Sequence, residues 1–254
     1  MPVLVTGATG CVGRALIPRL LGAGGQVRVY VRRDVPEYRS LGVKVAVGDA
    51  DHEGRLESAL EQVHTLVHLV GGPVPERGVT IEWLNLETTL VALRAAGNAE
   101  VRRILFLSPL GAEPGSDHPY LDAKGRAEGS IRASKLEFAI FRCAPIFGSG
   151  SVLQRFLARG VPLRARAAKM NPIAVGDVAA ALLAADTRDA ELRGTWGLGG
   201  PEVMTLGELA ERSEARAHGI TRAPATLATL YAREAVADQA EATTQFGLNL
   251  TPIT

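Results

Sequence analysis

The sequence predicts a doubly wound α/β protein, a parallel β-sheet covered by helices on both faces, with a small C-terminal lobe. Three observations predict it. Short β-branched runs alternate with longer helical patterns up to residue 142, the order that builds a parallel sheet from βαβ units. The first run ends in a glycine-rich turn that opens directly into an apolar helix. After residue 147 the alternation breaks down into a segment rich in glycine, proline and arginine.

Each element has a local reason. Residues 3–6, 27–32, 43–47, 65–70, 103–108 and 138–142 are apolar enough to be strands buried on both faces. Between them, residues 12–21, 55–60, 81–96 and 120–133 carry apolar side chains every three or four positions, the spacing of a helix with one buried face. Beyond the break, the alanine-rich stretch 178–185 reads as a helix with Asp177 as its N-cap, residues 194–198 as a short strand, and Thr205 with Glu208 as a capping box. The tail from residue 223 is helical in its middle. Residues 1–147 are therefore expected to form a nucleotide-binding core, and 148–254 a substrate lobe interleaved with it as one structural unit.

Composition limits the function. At 254 residues, 46% hydrophobic and 22% charged, the chain can bury a large core, and disorder and coiled coil are excluded. A formal net charge of +1 gives no pull towards nucleic acid or an anionic membrane. Two cysteines, Cys11 and Cys143, are too few for a disulfide framework and point to the reducing cytoplasm. There is neither a basic leader before an apolar core nor an apolar run of about eighteen residues, so neither secretion nor membrane insertion is expected.

The first strand runs into Thr6-Gly7-Ala8-Thr9-Gly10-Cys11-Val12-Gly13. Glycines at 7, 10 and 13 let the backbone turn tightly and approach a pyrophosphate, whose charge suits the amides and positive dipole end of the following helix. Gly7, Thr9, Gly10, Cys11, Val12 and Gly13 are thus candidates for binding a dinucleotide. At the end of the second strand, where a carboxylate would accept from a ribose 2′-hydroxyl, stand Arg32 and Arg33. Guanidinium groups grip a 2′-phosphate, so NADP(H) is favoured over NAD, with Asp34 the one neighbour able to reverse the preference. Asp49 follows the third strand, at the edge where adenine would lie, and Leu69, Val70 and Gly71 end the fourth, where cofactor would pass close to backbone.

Tyr120 and Lys124 form a YxxxK string after the fifth strand. Positions i and i+4 share one face of a helix, so the phenol and the ammonium are expected in one cleft, the lysine lowering the phenol pKa towards a range useful for acid–base work. Other residues are read more plainly. His118 is placed to meet substrate. His64 and His68 share a strand face but lack a carboxylate or cysteine partner, so no metal is expected. Cys11 fills a crowded turn, and Arg155, Arg159, Arg164 and Arg166 are expected as solvated charge on the lobe.

Taken together, the TGATGxxG turn, Arg32-Arg33, Gly48-Asp49, Asn85, Ser108, Tyr120/Lys124 and the 142–148 stretch resemble the short-chain dehydrogenase/reductase superfamily, with its Rossmann core, over nearly the whole chain. Pro172-Ile173-Ala174-Val175-Gly176-Asp177-Val178-Ala179 and the closing segment 232–252 resemble its atypical branch that includes an accessory subunit of respiratory complex I. The resemblance implies that Tyr120 passes a proton to a substrate oxygen, Lys124 holds the nicotinamide ribose and tunes Tyr120, Ser108 orients the substrate, Asn85 supports a water, and Pro145 contacts the nicotinamide. The expected function is hydride transfer between NADP(H) and a small-molecule carbonyl, alcohol or quinone. The alternatives are an NADP(H)-binding redox sensor or assembly factor without turnover, and an NAD-dependent sugar epimerase. Helices 81–96 and 120–133 are long enough to pair two subunits as a homodimer.

Overall fold

The computed structural model describes residues 1–213 and 224–253. Its first half alternates β1 (Pro2–Thr6), α1 (Cys11–Gly22), β2 (Gln26–Val31), α2 (Pro36–Ser40), β3 (Lys44–Val47), α3 (Glu53–Leu60), β4 (Thr65–His68), α4 (Thr88–Asn98), β5 (Arg103–Pro109), α5 (Pro119–Ala133) and β6 (Glu137–Cys143). The second half holds β7 (Ile146–Phe147), α6 (Val152–Leu157), β8 (Lys169–Met170), β9 (Ile173–Ala174), α7 (Val175–Asp186), β10 (Arg193–Leu198), β11 (Met204–Thr205), α8 (Leu206–Arg212), α9 (Ala225–Leu230) and α10 (Ala240–Phe246).

Seven strands form one parallel sheet in the order β10-β6-β5-β4-β1-β2-β3. The chain lays β1, β2 and β3 outward in one direction, then crosses back to place β4 on the other side of β1. The order therefore reverses between β1 and β4, where the carboxyl ends of an open sheet leave a crevice for ligand. The expected strands are all present, and the short strand read at 194–198 becomes β10, the edge beside β6.

Burial on both faces follows from strand composition. Val3, Val5, Val29 and Leu105 point to the face covered by α1 and α7, whose Leu16, Ile17, Val178 and Leu182 close it. Leu4, Leu66, Ile104, Phe106 and Ile140 point to the face covered by α3, α4 and α5. On the first face α10 adds Phe246, whose ring sits 5.1 Å from that of Phe141 and 5.2 Å from that of Trp196. A third cluster lies in the lobe, where Leu153, Phe156, Met170, Leu206, Leu209 and Tyr231 are buried together.

Three expectations change. α7 begins at Val175, with Ala174 as its N-cap. The Asp177 carboxylate accepts instead from the amide and hydroxyl of Thr251, at 2.7 and 2.9 Å, and ties the tail to α7. The pattern read as one helix over 81–96 is interrupted by a π-helical turn, Trp83–Glu87, before α4. Thr88 and Thr89 hydroxyls donate back to the carbonyls of Leu84 and Asn85 through it. The Thr205/Glu208 capping box forms as read.

At the amino edge of the sheet Arg103 is wholly buried. Its guanidinium donates to Glu137 at 2.8 and 3.1 Å, and to the carbonyls of Ala185, Arg188 and Ala190 at 2.8, 2.9 and 3.0 Å.

Candidate functional site

The glycine turn sits at the switch point. Gly7 has φ +64°, and a Cβ there would lie 2.6 Å from the backbone carbon of Leu69, so the turns after β1 and β4 touch through it. A Cβ on Gly13 would lie 2.5 Å from the Ala8 carbonyl oxygen. Gly10 is the N-cap of α1 and supplies no side chain to its first amides, and the first turn of the helix holds no acidic residue. Thr9 and Ala8 offer their carbonyls to Arg14 and to the Tyr38 hydroxyl, which fix the turn from outside.

Behind that turn the π-helical segment presents Asn85. Its amide oxygen accepts from the Gly72 amide at 2.8 Å, and its nitrogen donates to the carbonyls of Gly72 and Ile81 at 3.0 and 2.8 Å. Both amide hydrogens are thereby taken up, and Asn85 pins the loop that follows Leu69 and Val70. Gly71 permits the contact, since a Cβ there would lie 2.8 Å from the Asn85 oxygen and 3.1 Å from Lys124 Nζ.

Lys124 is buried on α5 with its ammonium donating to the Leu107 carbonyl at 2.9 Å and resting 4.1 Å from the centre of the Phe106 ring. Burial without a touching carboxylate pushes its pKa down to about 7. The Phe106 ring also lies parallel to that of His68, with centroids 6.1 Å apart. Burial first, and then the Lys124 charge, push His68 down to about 3, so it is a neutral ring bonded to Thr6. Ser108, at the end of β5, is buried with its hydroxyl unpartnered.

Tyr120 and Lys124 share the expected helix face, but their head groups have different neighbours. Tyr120 lines a cavity of about 310 Å³, whereas Lys124 is directed to the floor beneath it. The expected lowering of the phenol is corrected accordingly. Burial, with a smaller push from Cys143, raises Tyr120 above the ordinary phenol range.

Ser108, Pro145, Cys11 and Cys143 share that cavity with Tyr120. Burial pushes Cys143 up to about 12 and raises Cys11 as well. Tyr231, in the same lining, is a site residue that carried no motif in the sequence. His118 is corrected: it caps α5, its ring accepting from the Tyr120 amide at 3.3 Å and meeting the Thr226 carbonyl at 3.0 Å, and it lines no part of the cavity.

On the adenosine side, Arg32 is closed on Glu76 by two hydrogen bonds of 2.8 and 2.5 Å, both side chains being exposed. Arg33 is exposed beside them, and Asp34 is engaged by Arg39 at 2.9 Å. Asp49 uses one carboxylate oxygen on the amide of Ala50 and its carbonyl on the Tyr30 hydroxyl, both at 2.9 Å. Among the described residues no cluster of three metal-ligating side chains occurs, and no helix is long and apolar enough to cross a membrane.

Residues 7–187 match the model of a family described as NAD(P)H-binding. The chain belongs to the NAD(P)H-binding family. Among curated relatives, subunit 9 of the alpha subcomplex of mitochondrial NADH dehydrogenase (ubiquinone) from Arabidopsis thaliana is 31% identical, over 82% of this chain and 56% of that protein. The ceramide reductase of Caulobacter vibrioides is 31% identical, over 72% of this chain and 60% of its own length. The chain thus spans somewhat more than half of each of these relatives. In fold it is similar to the UDP-glucose 4-epimerase of Bifidobacterium longum solved with NAD+ and UDP, with a TM-score of 0.81 at 19% identity, over 100% of this chain and 94% of that one.

A member of the NAD(P)H-binding family needs a seat for a diphosphate, and these residues fit one. The helix end without a side-chain cap, and the two glycines whose Cβ atoms would strike backbone, leave close approach and amide donors at the carboxyl edge.

Proposed function

We propose that the chain is an NADP(H)-dependent oxidoreductase acting on a small-molecule carbonyl, alcohol or quinone. In this reading residues 1–147 form the nucleotide-binding core and 148–254 a substrate lobe interleaved with it as one structural unit. One observation carries it: a continuous cavity wall runs from Cys11, in the first turn of α1, past Pro145 to Ser108 and Tyr120. A dinucleotide seated on the turn and a substrate in the cavity would share a boundary there.

Gly7, Thr9, Gly10, Cys11, Val12 and Gly13 would hold the diphosphate, and Leu69, Val70 and Gly71 would flank it. Arg32 and Arg33 would take a 2′-phosphate, with Asp34 withdrawn to Arg39 and Asp49 beside the adenine. The bound nicotinamide supplies a hydride donor or acceptor. Tyr120 delivers the proton to the substrate oxygen, Ser108 orients that oxygen, and Lys124 and Asn85 hold the floor and loop beneath. A phenol raised by burial is protonated throughout the neutral range, which suits Tyr120 to donation and the site to reduction. The two free thiols fit a reducing compartment such as the cytoplasm. With a net charge of +1, the partner is a small molecule rather than nucleic acid.

Tyr120→Phe should lower turnover of carbonyls and quinones, followed by absorbance of reduced nicotinamide, by about 10² or more while nucleotide affinity stays unchanged. Turnover that survives the substitution removes Tyr120 from its role. The rival, a nucleotide binder without turnover acting as a redox sensor or assembly factor, draws its support from the separation of the Tyr120 and Lys124 head groups. It predicts tight nucleotide binding with no consumption of NADPH.

A further inference from the structure

We propose that Tyr231 is a second phenol of the site, donating a hydrogen bond to the oxygen of an uncharged substrate whose body is apolar. The inference rests on the oxidoreductase reading and names the substrate class.

The first step concerns Tyr231 itself. Its ring is buried against Phe156, centroids 4.8 Å apart, while its hydroxyl has no hydrogen-bond partner among the described residues and the side chain lines the same cavity as Tyr120. The hydroxyl is thus open to the cavity and has its donor available to a molecule bound there. The segment bearing it is fixed on both sides. The Thr226 carbonyl meets the His118 ring at 3.0 Å, the Ala235 amide donates to the Lys169 carbonyl at 2.9 Å, and Asn171 clamps both backbone groups of Ala237 at 2.8 and 2.9 Å. Burial and the neighbouring Tyr120 keep the phenol protonated at neutral pH. The Tyr120 and Tyr231 phenols are therefore neutral donors lining one space, with Ser108 in its wall, and the complementary ligand atom is an uncharged acceptor oxygen.

The second step concerns everything else in that space. Leu107, Leu110, Leu121, Leu153, Met170 and Leu230 give it carbon walls. Its charged side chains are Arg233 and Glu234, one of each sign and both exposed, with Arg233 already paired to Asp117 at 2.7 Å. None of Arg155, Arg159, Arg164 and Arg166 lines it. A diphosphate would be desolvated against these carbon walls, so the lining suits a ligand with an apolar body better than a sugar nucleotide.

The test is calorimetric and needs no turnover. The full chain, saturated with NADP+, is titrated with 2-butanone, 2-hexanone and 2-octanone and, separately, with UDP-glucose. Ketone affinity should rise about fourfold per added methylene, and UDP-glucose should give no heat. Tyr231→Phe, which keeps the ring on Phe156, should weaken every ketone about 5- to 20-fold while leaving the chain-length trend and NADP+ affinity as they were. Leu110→Trp should weaken 2-octanone more than 2-butanone. Unchanged ketone affinity in Tyr231→Phe, or UDP-glucose binding more tightly than the ketones, would overturn the proposal. Ketone binding that depends on Tyr231 without consumption of NADPH would keep this assignment and remove the oxidoreductase reading instead. Turnover that is indifferent to Tyr231→Phe would do the reverse.

Discussion

A buried cation sits against each end of β5, Arg103 from the strand itself and Lys124 reaching in from α5, and the two are treated oppositely. At the amino end Arg103 has a carboxylate and three carbonyls within 3.1 Å of its guanidinium. At the carboxyl end Lys124 has one carbonyl and one ring, next to a serine hydroxyl with nothing to bond. The fold therefore surrounds the guanidinium at its amino edge with oxygen acceptors and leaves the ammonium at its carboxyl edge with few. Buried polar atoms without a partner are destabilising and stand at both edges, His64 Nε2, Asp186 Oδ1 and Arg188 Nε near Arg103, and Ser108 Oγ and His68 Nε2 towards the crevice.

The contrast breaks first at Arg103. Arg103→Met strips Glu137 of a buried partner and three carbonyls of their donor, and should lower unfolding free energy by about 3–5 kcal/mol in urea titrations. A loss below about 1 kcal/mol would show that the amino edge is not the stabilising one.

Lys124 sharpens it with pH. The group sits at about 7 in the folded chain against 10.5 ordinarily, so between those values the unfolded chain binds the extra proton. Stability of the nucleotide-free protein should accordingly rise with pH across that window, by up to about 1.4 kcal/mol per unit. Lys124→Met should flatten the rise and cost little or nothing at pH 7, while weakening nucleotide binding; thermal melts from pH 6 to 10 read the first effect. A flat wild-type profile would mean that the ammonium is better solvated than its contacts indicate.

Gly7 tests the crevice between β1 and β4. Gly7→Ala adds a Cβ at positive φ against the Leu69 backbone, and should cost about 1–2 kcal/mol of stability together with a tenfold or greater loss of nucleotide affinity. If affinity is kept, the turn does not seat the diphosphate.

The smallest effect is expected at the rim. Arg33→Ala should weaken NADPH about fivefold and NADH not at all, as an exposed charge contact of modest strength would. Equal loss for both coenzymes would assign Arg33 to something other than a 2′-phosphate.

The sheet and the glycine turn were legible because both are local. A strand buried on two faces must read as a short apolar run, and Gly7 and Gly13 stand where any side chain would strike backbone. Legibility failed where contacts span the chain. Asp177 looks like an N-cap in its own neighbourhood, but its partner is Thr251. His118 looks like a substrate contact beside Tyr120, but its ring closes on α9. The Tyr120–Lys124 spacing correctly implied one helix face; it carried no information on Phe106 and the Leu107 carbonyl, which draw the ammonium away. Tyr231 lies in a tail without a motif, and a cavity wall of that kind becomes visible only when Asn171 and Lys169 have gathered the tail in.

That late gathering sets an order of manufacture. The ribosome produces the phosphate cradle of residues 7–13 more than two hundred residues ahead of the Tyr231 phenol. A nascent chain presents the seat for its coenzyme long before it owns a chamber for anything else, whereas the second ligand must wait until the segment around Tyr231 has emerged.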